Sequence, residues 1–167
     1  MKWPDSSTFL HVTHPRIREA LCSRSMILDA LRQLRKVRNW GYLLSRSNLL
    51  AEGLKNEGGI RGHLNKLPVE PEWSINGTTA ESGKRFRFKK DSLGDYTLGY
   101  ADPEHLSLAF AMAVSAAFPV GFGPLVLDMT QLIWRKREGW GDPVSSARKV
   151  APDAAKIHLY DGGVYDN

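Results

Sequence analysis

Apolar residues recur at helical spacing in the first third of the chain and alternate with polar ones near its end. Thr13-His14-Pro15 marks a helix start, with proline in the first turn, where its missing N–H costs nothing. Ile17, Leu21, Leu28, Leu31 and Leu34 then make an apolar stripe, with Arg18, Arg32, Arg35 and Lys36 among them. That spacing predicts one amphipathic helix with a basic face, ended by Trp40-Gly41. A second helix is predicted to Asn56, capped by Ser47 or Asn48. Beyond an extended stretch at 67–71, residues 73–79 and 84–88 read as strands of a hairpin turned at Ser82-Gly83. Residues 106–118 predict a buried, small-residue helix, and 125–127 a short strand. Residues 130–153 read as polar loop, with Trp134 and Trp140 expected at the surface. In the closing strand Ile157, Leu159 and Asp161 share one face and His158 and Tyr160 the other, before Gly162-Gly163 lets the backbone turn.

Length and composition narrow the picture. A chain of 167 residues, 42% hydrophobic and 25% charged, suits a single domain (1–167), mainly helical over 1–66 and mixed over 67–167. The apolar run at 106–127 is cut by Pro119, Gly121, Gly123 and Pro124, whereas a membrane span needs about 20 continuous apolar residues. No apolar leader opens the chain, so a cytoplasmic or peripheral-membrane location is expected, and the Asn76-Gly77-Thr78 sequon reads as incidental. A single Cys22 excludes an internal disulfide framework and a cysteine-only metal site. No cofactor or metal is expected. The net charge of +5 permits attraction to anionic surfaces, and the seven basic residues between Arg16 and Arg38 make a bilayer one such surface. Phe86 and Phe88 alternate with Arg85 and Arg87, but a period of two sends rings and cations to opposite faces. That is a half-buried strand, and no nucleic-acid partner is expected.

The chemistry-bearing candidate is Asp161, a carboxylate at a strand end opening onto Gly162 and Gly163. An ordinary Asp-Gly turn has the same spelling. Gly58-Gly59-Ile60-Arg61-Gly62 has the composition of a loop that presents N–H groups to an oxyanion. Ser115 sits between Val114 and Ala116 within a helix, which is no strained elbow, and no Gly-x-Ser-x-Gly occurs anywhere.

Three stretches fall in a telling order: Trp73-Ser74-Ile75-Asn76-Gly77-Thr78 leading to Gly83-Lys84-Arg85-Phe86-Arg87-Phe88, then Ala113-Val114-Ser115-Ala116-Ala117-Phe118-Pro119, then Asp161-Gly162-Gly163-Val164-Tyr165-Asp166-Asn167. Together they resemble the C-terminal part of a patatin-like phospholipase domain. The resemblance runs from about residue 67 to 167. It implies a partial three-layer α/β/α fold and a serine lipid acyl hydrolase working through a Ser-Asp dyad. Asp161 matches the family's catalytic aspartate, and Gly162 and Gly163 the turn that supports it. The nucleophile elbow and the family's oxyanion loop have no counterpart here; Gly58–Gly62 lies in the wrong place in the order. The resemblance therefore implies a fragment inactive alone, a lipid or membrane-surface substrate, and an N-terminal half or companion chain to complete the site. A sheet short of strands would also expose its edges.

Overall fold

The computed structural model describes residues 5–23, 25–42, 45–119, 121–139, 142–143 and 146–165. Its N-terminal part is helical. A short α1 (Ser6–Thr8), capped by the Asp5 carboxylate, runs through a π-helical turn into α2 (His14–Cys22). The single amphipathic helix expected here is in fact two. The chain breaks after Cys22, and Ser25 caps a new helix, α3 (Met26–Arg32), by accepting from the Leu28 N–H. Competition from a hydroxyl next to the backbone is what lets serine stop one helix and start another. α3 gives way to 3₁₀ turns at Gln33–Arg35 and Val37–Tyr42, and α4 (Arg46–Asn56) follows.

All strands come later: β1 (Ile75–Thr79), β2 (Arg85–Phe88), β3 (Leu93–Asp95), β4 (Gly99–Ala101), β5 (Leu125–Asp128), β6 (Trp134–Lys136), β7 (Arg148–Lys149) and β8 (Lys156–Asp161), with α5 (Leu108–Val114) before β5. They form one sheet in the order β5-β8-β1-β2-β3-β4-β6-β7, and every pairing is antiparallel. The fold is thus mixed α/β. The expected 130–153 loop holds two of these strands. Trp134, expected at the surface, is 1% exposed and its indole N–H donates to the Met129 carbonyl. Trp140 lies outside the described residues.

Residues paired directly across an antiparallel ladder share a face. On the inner face Phe88, Leu93, Ala101 and Trp134 stand side by side on β2, β3, β4 and β6, and all are buried. α5 packs there through Ala109, Ala111, Ala113 and Val114, whose small side chains let helix and sheet approach closely. The other face carries Asn76, Arg87, Gly94, Tyr100, Arg135 and Lys149 as one cross-strand row. Asn76, Arg87 and Lys149 are exposed.

One sheet edge is covered. Asn48 of α4 accepts from the Val126 N–H (2.9 Å) and donates to the Val126 carbonyl (3.2 Å), so a side-chain amide takes the place of a further strand along β5. Ser45 and Ser47 donate to the Pro124 and Gly123 carbonyls beside it. The two residues expected as helix caps therefore serve as an edge clamp. The opposite edge, β7, is two residues long and carries Arg148 and Lys149, which blunt further strand addition.

Candidate functional site

β8 lies between β5 and β1, and its burial alternates as its sequence does: Ile157 and Leu159 are buried, Lys156 and His158 exposed. Asp161 pairs with Gly77 of β1, so the two share the inner face. α5 sits close over Gly77. A Cβ there would lie 2.5 Å from Val114 Cγ1 and 3.1 Å from the Tyr160 carbonyl oxygen. The Asp161 N–H donates to the Ala117 carbonyl (3.1 Å), joining the strand end to the turn that leaves α5. Its own carbonyl accepts from the Thr78 hydroxyl at 2.9 Å. Both main-chain polar groups of Asp161 are therefore anchored to different elements, which fixes where its side chain begins.

The carboxylate itself is half-buried and accepts from the Gly163 N–H at 3.1 Å, the only donor to it among the described residues. One oxygen is thereby oriented by the turn. The other has no protein donor among the described residues, and a carboxylate oxygen of this kind can accept from a hydroxyl. The two glycines differ in what they do. At Gly162 a Cβ would fall 2.8 Å from Asn76 Cβ and 3.0 Å from the Asn76 carbonyl oxygen, so the close approach of β1 excludes any side chain. At Gly163 the only neighbour within 4 Å among the described residues would be Asp161 Oδ1 at 3.8 Å, and the residue serves through its N–H. The chain then turns so that the Tyr165 ring lies 5.1 Å from the Arg85 guanidinium. Asp166 and Asn167, the end of the motif, lie outside the described residues.

The other sequence candidates fall elsewhere. Ser115 is the exposed C-cap of α5, and no hydrogen bond joins it to Asp161. Gly58 and Ile60 donate their N–H groups to the Gly53 and Leu54 carbonyls, and Arg61 donates to Gly59. Residues 58–61 thus close the end of α4 with donors an oxyanion would need. His158, on the outer face, holds Glu81 through Nδ1 at 2.8 Å, away from the Asp161 side. Among the described residues no group of His, Cys, Asp and Glu is arranged to hold a metal, and no helix is long and apolar enough to cross a membrane.

Sequence reasoning missed a cluster of cations. Lys136 and Arg137, read as loop, meet Arg87 and Lys89 across the sheet around a groove of about 400 Å³. The signal present in the sequence was the run of three cations, Arg135-Lys136-Arg137, after Trp134. Compared with protein-family models, curated proteins and solved structures, the chain finds no match.

Proposed function

We propose that this chain is the aspartate-bearing part of a patatin-like serine lipid acyl hydrolase, a partial three-layer α/β/α domain whose nucleophile and oxyanion donors come from elsewhere. The observation that carries the reading is Asp161: a carboxylate at a strand end, held at its backbone by the turn after α5 and by β1, with one oxygen tied to the Gly163 N–H and the other without a donor among the described residues. A serine hydroxyl reaching that oxygen would find a base in hydrogen-bond range and an orienting turn behind it, which is what an activated nucleophile requires. In this reading Asp161 is the base, Gly162 admits β1, and Gly163 orients the carboxylate. The acceptor of the chemistry is an ester of a lipid at a membrane surface.

The test is an ester assay with a short-chain nitrophenyl substrate. The isolated chain is expected to show no turnover above background and no labelling by a fluorophosphonate. Supplied with a family segment bearing Gly-x-Ser-x-Gly, it should gain activity that Asp161→Asn abolishes. Turnover by the isolated chain that survives Asp161→Ala would sink the reading.

A second reading, a non-catalytic module that docks on a membrane or partner, is favoured by a separate observation. Met26, Ile27, Leu28 and Leu31 on α3 are half-exposed or more, close in sequence to Arg32 and Arg35. Co-sedimentation with anionic liposomes at low salt decides it, since an apolar face with flanking cations binds such bilayers.

A further inference from the structure

The outer face of the sheet carries a groove of about 400 Å³ bordered by Arg87 and Lys89 of the β2 region, Tyr96 and Tyr100 of the β3–β4 hairpin, and Lys136 and Arg137 at the end of β6. Its walls are built. The Asp95 carboxylate is buried and accepts from the Thr97 and Leu98 N–H groups and the Thr79 hydroxyl, which locks the hairpin that brings Tyr96 to the rim. The Arg137 guanidinium lies 4.4 Å from the centre of the Tyr100 ring, which holds the cation in place.

The electrostatics are unbalanced. Among the described residues Glu138 is the one carboxylate in the lining, against four cations. Outside it Glu72 pairs with Lys89, Asp142 accepts from the Gly139 N–H and Asp91 from the Ser92 hydroxyl. Among the described residues Arg87, Lys136 and Arg137 have no ion-pair partner, and Arg137 Nε is buried with no hydrogen-bond acceptor. Among the described residues the cations of this groove thus lack counter-charge, which favours an anionic ligand there.

We propose that this groove binds a small phosphate-ester polyanion carrying at least two negative charges, its phosphoryl oxygens received by Arg87, Lys136 and Arg137. Guanidinium groups fit phosphate as a fork, and ammonium groups add charge without direction. The volume sits at the lower end of small-molecule sites, which run from about 300 to 1,000 Å³. A nucleic-acid strand fits less well. The sequence-tolerant mode stacks bases on open aromatic faces, but here Arg137 covers Tyr100 and Lys84 stands 5.5 Å over the Tyr96 ring. The site is on the face opposite Asp161 and does not depend on the acyl-hydrolase reading.

The experiment uses the whole chain and inorganic pyrophosphate, titrated calorimetrically at low salt. Saturable one-to-one binding is expected, with a rise in melting temperature. Arg87→Glu and Lys136→Glu, both at exposed positions, should each weaken binding by roughly tenfold, in line with the loss of a charge-assisted contact. Lys55→Glu on α4 changes net charge equally and should leave affinity within about twofold. Vesicles of phosphatidylcholine doped with phosphatidylinositol bisphosphate separate the sources. If they bind the protein and pyrophosphate displaces them, the phosphate ester is a lipid headgroup. If pyrophosphate binds and the vesicles do not, it is a soluble compound. The proposal is overturned if pyrophosphate does not bind, if Lys55→Glu weakens binding as much as the groove variants, if phosphatidylserine vesicles bind equally well and independently of Arg87, or if single-stranded RNA binds and resists displacement by pyrophosphate.

Discussion

At the scale of single residues, the Asp-Gly-Gly turn separates two glycines that a sequence presents as equals. Gly162→Ala drives a methyl into the Asn76 backbone at 3.0 Å, and such overpacking costs about 1–3 kcal/mol. Gly163→Ala meets only the Asp161 carboxylate at 3.8 Å and keeps the N–H, so it should change stability by no more than about 0.5 kcal/mol. Urea denaturation of the two variants checks this, and equal losses would contradict the geometry. A second residue-scale prediction concerns Asp128. The Thr130 hydroxyl and N–H hold its carboxyl below the usual carboxylate range. A depressed folded-state value means the hydroxyl and N–H contacts stabilise the folded chain above the unfolded-state value, and that this is lost as pH falls through the folded one. Thr130→Val should return the Asp128 titration toward the ordinary range, read by carbon-detected NMR. The position of Asp161 was legible in the sequence because alternation and a terminal Asp-Gly-Gly need no long-range information. The exclusion of a side chain at Gly162 was not, because it depends on β1 arriving from more than eighty positions upstream.

At the scale of elements, patterning found β1 within the expected 73–79 strand, and the strands with two alternating apolar residues: β2 with Phe86 and Phe88, β5 with Leu125 and Leu127, β8 with Ile157 and Leu159. β3, β4 and β6 are three residues each and β7 is two, too short to display a period. They exist because the hairpin locked by Asp95 aligns β3 with β4 and Trp134 is buried beside Ala101. Tertiary pairing, not local preference, makes them strands. The same limit hid the role of Asn48. As a helix cap it would have held one N–H; as an edge clamp it satisfies both polar groups of Val126. Asn48→Ala should destabilise the chain by about 1–3 kcal/mol, because two hydrogen bonds go and a strand edge is left unsatisfied. Native-state hydrogen exchange gives the sharper readout: the Val126 amide should lose protection while the Leu159 amide, deeper in the sheet, keeps it until global unfolding. Equal loss at both amides would mean that Asn48 acts on overall stability and not on the edge.

At the scale of the whole molecule, the fully antiparallel sheet has two unlike faces. The inner one takes α5 and the apolar core; the outer one presents Arg87 and Lys149 to solvent. A second helical layer over that outer face, as the three-layer reading requires, would have to receive cations, which argues for a polar or anionic covering there. Exposed apolar residues also gather on the helical part, where Ile27 is 58% and Leu31 52% exposed, with Val37 at 71% and Trp40 at 57% further along. The sequence indicated an amphipathic helix, but it could not indicate that Leu28 and Leu31 of its apolar stripe would face outward while Leu34 packs against the core, since that follows from the break after Cys22 and the orientation of α3 against α4. Exposed apolar residues grouped on one short helix are an association hazard. The isolated chain is therefore expected to self-associate as its concentration rises, and sedimentation velocity should resolve the larger species. Ile27→Glu with Leu31→Glu should shift the chain to monomer while changing stability by no more than about 0.5 kcal/mol per site, because neither side chain is in the core. If the pair lowers stability by several times that amount, α3 packs more tightly than its exposure indicates. If association persists with stability unchanged, the contact runs through the sheet, and the short charged edge at β7 is where a second pair of substitutions would be placed.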